Sequence, residues 1–513
     1  MNMPPGETRR RSMVAYTCSF VLACLGCSPS EHPASTSSST VTLASYEEWL
    51  NPAEDIPAKF LAFLPLTALN ETGELEGRLA VRWEHSADRR EWTYHLRPDV
   101  RWHDGVPVTA GDIAFSVDLW KHPEVLHYYT AFVESATVLD DSTVMIRYTT
   151  SADESIASYL TYYPKHVLEK LDPKEFYQWD FWTHPVGNGP YRFASYLPRT
   201  MMEFEANPNF FGAKPRIERV VLKFVGDAGL TELLAGTVDA VTWTDPADIL
   251  KLGADPRFRV YYEPDFYRGW AIYWQNDHPL FQDARVRRAL TLAIDRRGLL
   301  RALNLPDDVP ILAGPLTEPQ LRRGDVPDPL PYDPDEARRI LEVVGWRDLD
   351  NDGIRQREGR AFRFTILVAG EEGPAVFVQD QLRRIGVRAD LQPLDQAGVR
   401  ERLRAGEFEA ILAPYDNNPG SLGRLGLGGG APLGYANAEV LRLVAEAGAT
   451  MDPHARDRIY AELTAILRRD APLTFLYPRV NVVFAHRRLQ GLSSPWKADP
   501  AWHMEELWIQ KEE

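Results

Sequence analysis

Carboxylates recur at alternate positions in Asp348-Leu349-Asp350-Asn351-Asp352-Gly353, at positions 1, 3 and 5 of a loop with Gly at 6, as in a calcium-binding loop. Position 12 of that loop is Gly359, where a bidentate Glu is required, and Glu358 comes one residue early. An Asp/Gly turn joining Trp346 to a strand over 362–368 is therefore expected, with no metal. The 12 histidines are scattered, and the close pair His122 and His127 is split by Pro123, as in a surface turn. No G-x-S-x-G, H-E-x-x-H or G-x-x-x-x-G-K-[ST] occurs, so the nucleophile elbow, the zinc helix and the phosphate loop are all missing. Gly428-Gly429-Gly430 lacks the strand before it and the helix after it that a phosphate cradle needs. No catalytic constellation is found; the chain is read as not an enzyme, and no cofactor is expected.

Cysteine chemistry is confined to the start of the chain. Cys18, Cys24 and Cys27 all fall within the first 27 residues, so nothing downstream can form a disulfide or a thiolate site. Arg9-Arg10-Arg11 precedes a short apolar run from Met13 to Gly26, which reads as a signal peptide over 1–26. Leu25-Gly26-Cys27 resembles a bacterial lipoprotein box, with Cys27 as the acylated residue; Val21-Leu22-Ala23-Cys24 is the alternative, making Cys24 the anchor. Residues 27–42 are Ser/Thr/Pro-rich and read as a flexible tether. The expected location is beyond the inner membrane, periplasmic or on the cell surface, held by lipid. At 513 residues the chain should form two or three lobes. Its net charge of −16 argues against nucleic acid as a partner, because phosphate binding needs basic patches.

The elements that would position a site are clearest over 92–120. Trp92 to Leu96 alternates bulky and polar residues as a half-buried strand does. Trp102-His103-Asp104-Gly105 is a tight turn, and Thr109 with Asp112 three residues on starts a helix. The whole run, LR-x-x-V-x-W-x-DG-x-PVTA-x-D, resembles the signature of the family 5 extracellular solute-binding proteins, the peptide- and nickel-type receptors of ABC importers. Further blocks agree in fixed order: Leu79-Ala80 with Trp83-Glu84, Pro164-Lys165-His166, Pro185-Val186-Gly187-Asn188-Gly189-Pro190-Tyr191, and the 276–295 stretch NDHPLFQDARVRRALTLAID. A hairpin over 137–148 and helices over 333–346, 376–386 and 456–467 continue the pattern. The resemblance spans the chain from about residue 45 onward.

The resemblance implies an α/β fold, periplasmic-binding-protein-like (class II, large type), with two lobes, a hinge and an extra domain. Lobe I would comprise 43–72, 184–262 and 473–513, the extra domain 73–183, and lobe II 263–472. It implies capture of a small solute, most simply a short peptide, between the lobes of a monomer, and delivery to ABC transporter permease subunits. A sensing or adhesion lipoprotein on the same fold is the alternative, and a secreted hydrolase a more distant one. Peptide receptors of the family carry an amine-binding acid in a W-x-x-D-x-x-[DE]-P stretch, matched here by residues 413–419. Tyr415 occupies the amine-binding position, Asp416 follows one residue late with Asn417 beside it, and Leu412 stands where an aromatic is usual. Glu54 and Asp55 lie where the family's first lobe reaches the cleft. Trp243 and Trp274 are candidate aromatic walls of the ligand pocket, or else buried core tryptophans.

Overall fold

Strand β1 (Thr40–Ser45) shows how local pattern becomes structure: TVTLAS alternates, burying Val41 and Leu43 and not the threonines between. The computed structural model describes residues 39–45, 59–70, 75–125, 133–149, 157–158, 160–243, 249, 252–315, 327–370, 373–416, 433–450, 453–494 and 499–510. Cys24, Cys27, Glu54, Asp55 and Asn417 lie outside these residues, as do the signal segment and most of the tether.

Four strands, β2 (Ala80–His85), β3 (Glu91–Leu96), β4 (Val133–Asp140) and β5 (Thr143–Tyr148), form a small antiparallel sheet in the order β2-β3-β5-β4. Trp92, Tyr94 and Leu96 alternate inward from β3. Helix α1 (Ala110–Trp120) lies against β4. Its start is fixed by Asp112, whose carboxylate accepts the Thr109 amide at 2.8 Å and the Thr109 hydroxyl at 3.0 Å. The same carboxylate also accepts the Lys165 amide at 2.9 Å, tying in the segment that begins Pro164-Lys165-His166. Its helix covers only Lys165–Leu168, and Pro173 then starts a 3-10 turn in which Asp172 takes extended backbone and accepts the Lys174 amide. Gly105, at φ 93°, closes the turn after buried Trp102.

The remaining chain builds one long sheet. Its strands are β6 (Tyr191–Leu197), β7 (Met201–Ala206), β8 (Arg219–Phe224), β9 (Ala240–Trp243), β10 (Phe258–Trp274), β11 (Arg363–Ala369), β12 (Arg388–Leu394), β13 (Ala410–Asp416) and β14 (Leu473–His486). With β1 they run in the order β12-β11-β13-β10-β14-β9-β1-β8-β7-β6. Helices α2 (Ala284–Leu292), α3 (Arg296–Ala302), α4 (Pro334–Val343), α5 (Gly373–Arg383), α6 (Gln396–Ala405), α7 (Ala438–Ala449) and α8 (Pro453–Asp470) accompany the half that holds β11 to β13. Asp283 is the N-cap of α2 and accepts the Arg285 amide at 2.9 Å.

Alternation along β10 splits the second half's core across two faces. Ile272 and Trp274 join one apolar cluster, whereas Ala271 and Tyr273 join another. A third cluster joins β1 and β8 to the small sheet, so the first half and the extra domain share a core. His103 pins that junction: its Nδ1 accepts the Gly187 amide at 3.2 Å and its Nε2 donates to the Gly189 carbonyl at 3.1 Å. The glycines are required here, since a side chain at Gly187 or Gly189 would run into the backbone of Ala62.

Candidate interlobe binding site

Strand register locates the hinge. In the first half, β9 pairs with β14 only as far as Trp243 opposite Val482. In the second half, β13 pairs with β10 only from Arg268 opposite Asp416 onward. Between these limits, among the described residues, β10 and β14 pair only with each other, and their register breaks between Asp265 and Gly269. Within the sheet these two strands link the halves, and one apolar cluster, holding Val241 and Phe258 as well as Ile272 and Trp274, continues across the joint. Few residues need to change φ and ψ to swing such a joint.

Strand direction locates the crevice. Strands β1, β8 and β9 are mutually parallel, and β9 runs antiparallel to β14, so their carboxyl ends at Ser45, Phe224 and Trp243 point toward the hinge. Strands β11, β12 and β13 are likewise parallel, and β13 runs antiparallel to β10, so the ends at Ala369, Leu394 and Asp416 point toward it from the other side. Open α/β sheets bind ligands outside the carboxyl ends of their parallel strands. Here two such sets of ends face one crevice, with Trp243 and Asp416 ending a strand on either side of it.

Tyr415, the residue at the expected amine-binding position, is buried. It is 4% exposed, and its ring meets Phe475 edge-on at 5.3 Å between centroids. Gly269 lies so close that an added Cβ would stand 2.8 Å from the Tyr415 ring. Burial raises its phenol far above the ordinary range, which leaves it neutral. By strand parity Ile411, Ala413 and Tyr415 share one face and join the same apolar cluster, while Ala410 and Leu412 on the other face join a second.

Trp274 is enclosed likewise. It is fully buried, donates from Nε1 to the Thr474 hydroxyl at 3.0 Å, and packs against Phe281 and Phe364 at 5.2 and 6.0 Å. It packs as one of the two expected alternatives, a buried core tryptophan. The carboxylates of Asp348, Asp350 and Asp352 stand together on the surface, but each accepts a bond within its own turn, from Gly353, Gln356 and Ile354 respectively. This is the expected Asp/Gly turn.

Sequence reasoning missed a cluster on the first half's rim. Thr242, next to the end of β9, is exposed and lies near the carboxylate of Asp499, which is 9% exposed. The Ala501 amide donates to the same carboxylate at 2.8 Å. Beside it, Trp502 stacks on Phe60 with centroids 4.2 Å apart. Nothing in Asp499-Pro500-Ala501-Trp502 signals this, because Thr242 and Phe60 come from distant parts of the chain. A separate concavity of about 400 Å³, lined by Tyr177, Trp179, Asp180, Trp182 and Tyr196 among others, lies away from the crevice; Trp179 and Trp182 are already stacked on each other there.

Comparison with known proteins agrees with this geometry. Residues 74–422, more than half of the chain, match the bacterial extracellular solute-binding proteins, family 5 middle region. The oligopeptide-binding protein AppA of Bacillus subtilis is 26% identical over 454 residues, covering 81% of this chain and 80% of its own. Heme-binding protein A of Haemophilus influenzae is 23% identical, covering 83% of each chain. Among solved structures, NikZ from Campylobacter jejuni in complex with Ni(L-His) aligns with a TM-score of 0.67 at 23% identity, over 92% of this chain and 99% of that one. The unliganded open form of the periplasmic murein tripeptide-binding protein MppA aligns with a TM-score of 0.75 at 21% identity, over 93% and 98%. At these identities the structures speak for the fold. With the family match over most of its length and two lobes meeting at a two-strand hinge, the chain belongs to the bacterial extracellular solute-binding proteins of family 5.

Proposed function

We propose that this protein captures a short peptide or peptide-like solute in the crevice between its lobes and delivers it to the permease of an ABC importer. The observation that carries this reading is the paired set of strand ends, Ser45 and Trp243 against Ala369 and Asp416, facing each other across two hinge strands. Closure about that hinge would exchange the ligand's water for protein groups, and the permease would read the closed form. The peptide preference draws support from relatives described as oligopeptide- and murein tripeptide-binding. No catalysis is invoked. Lobe I is taken as 43–72, 184–262 and 473–513, the extra domain as 73–183 and lobe II as 263–472. Acylation at Cys27, or Cys24, would tether the protein as a monomer to the membrane through the expected 27–42 segment, shortened at its end because Thr40 to Thr42 belong to β1.

Native mass spectrometry of protein purified from its own host tests the reading. A retained peptide mass, displaced by added peptides that also raise the melting temperature, is the expected result. A crevice that retains nothing, with no thermal shift from any peptide in a mixed library, would contradict it.

A further inference from the structure

We propose that the second lobe binds one monatomic anion, chloride, in a small cavity on which the guanidinium groups of Arg296 and Arg468 converge. The site is independent of peptide capture and ties the helices of that lobe to a hinge strand.

The cavity lies among α2, α3, α8 and the start of β14. Thr291, Arg296, Leu312, Leu467, Arg468 and Phe475 are among the residues that line it, and none of its lining residues carries a carboxylate. Its volume is about 10 Å³, room for one particle of about water's size.

Arg296 is 5% exposed. Its Nη1 donates to the Leu312 carbonyl at 3.2 Å and the Phe475 carbonyl at 3.1 Å, and its Nη2 to the Leu330 carbonyl. Carbonyl oxygens orient a guanidinium without cancelling its charge. Burial, and then the like charges of Arg297 and Arg468, lower it to about 10. The other two buried arginines among the described residues have acids to balance them: Asp470 and Asp283 act on Arg287, and Glu342 stands 3.3 Å from Arg355. The acids nearest in sequence to the cavity are engaged elsewhere. Asp295 caps α3 through the Gly298 amide, and Asp470 accepts Tyr435, Asn437 and Arg469.

Arg468, in the last turn of α8, brings the second cation, and its Nε is buried without an acceptor. An N–H of a charged group is costly to leave so. Two guanidinium groups facing one space also repel each other, the more so between apolar walls such as Leu467 and Phe475. A single anion answers both needs, as an acceptor for Nε and as a shared counter-charge. The size of the space selects a monatomic ion over sulfate or phosphate. Chloride is only slightly larger than water, and the long stem of Arg468 can adjust to it.

Crystals of the protein soaked in bromide test the site directly: an anomalous peak in the cavity between Arg296 and Arg468 is expected. Thermal melts at constant ionic strength give a readout in solution. Replacing gluconate by chloride should raise the melting temperature along a saturating curve, as linkage requires of a ligand bound by the folded chain alone. Arg468 is only half-buried, so Arg468→Gln should fold while losing the charge. The variant should bind chloride at least about tenfold more weakly, the loss expected for a hydrogen bond to a charged group, and its curve should shift to higher chloride by that factor. Water alone in the cavity of bromide-soaked crystals, superimposable melting curves in chloride and gluconate, or an unshifted Arg468→Gln curve would each overturn the proposal.

Discussion

Single residues divide according to what surrounds them. Trp274 and Trp243 look alike in the sequence, yet Trp274 is enclosed by Phe281, Phe364 and Thr474. Trp274→Ala should cost about 3–5 kcal/mol of stability, as large aromatic deletions in a core do. Its denaturation midpoint should fall with no selective change in ligand affinity among the molecules that remain folded; a selective loss of affinity at full stability would show that the ring reaches the ligand. His103 makes a pH prediction. Burial holds its imidazole at about 4, below the ordinary 6.5, so between those values the unfolded chain takes up a proton that the folded chain refuses. The sign is therefore fixed: its contribution is complete above pH 6.5 and is lost as the pH falls toward 4. Denaturant midpoints of the wild type and His103→Gln across that window should converge as the pH falls. Parallel curves would mean that His103 does not titrate this way.

At the level of elements, local rules account for much of what the sequence made legible. The run from Trp92 to Trp120 forms the strand, turn and helix its pattern predicts, because alternation, Gly105 and Asp112 act within a few residues of one another. The Asp348–Gly353 turn was readable for the same reason. The candidate site was harder to read because its geometry is not local. Tyr415 belongs to the core through the face of β13 on which it falls, and that depends on β10 and β14 lying beside it. Asp499 is buried near Thr242, a residue on a strand half a chain away. The tight seat of Tyr415 gives a further prediction. A Cβ at Gly269 would meet its ring at 2.8 Å and Leu312 at 2.9 Å, so Gly269→Ala should destabilise by about 1–3 kcal/mol through overpacking. Thermal melts of Gly269→Ala alone and combined with a smaller residue at 415 would check this, the second change relieving part of the first.

At the scale of the whole molecule, the account depends on one joint. The extra domain shares its core with the first lobe, and His103 fixes their junction, so that pair should move as one body. The second lobe hangs from β10 and β14, paired there only with each other. Because all three cysteines lie within the first 27 residues, replacing them by serine leaves a chain in which new cysteines carry the only spin labels. Ala194 on β6 and Glu401 on α6 are both exposed and lie in opposite lobes. The most direct measurement is the distance between labels at Ala194→Cys and Glu401→Cys, by double electron–electron resonance, before and after adding a mixed library of short peptides. The account predicts a shorter and narrower distance distribution on binding. Bound peptide with an unchanged distribution would contradict capture by closure of the two lobes.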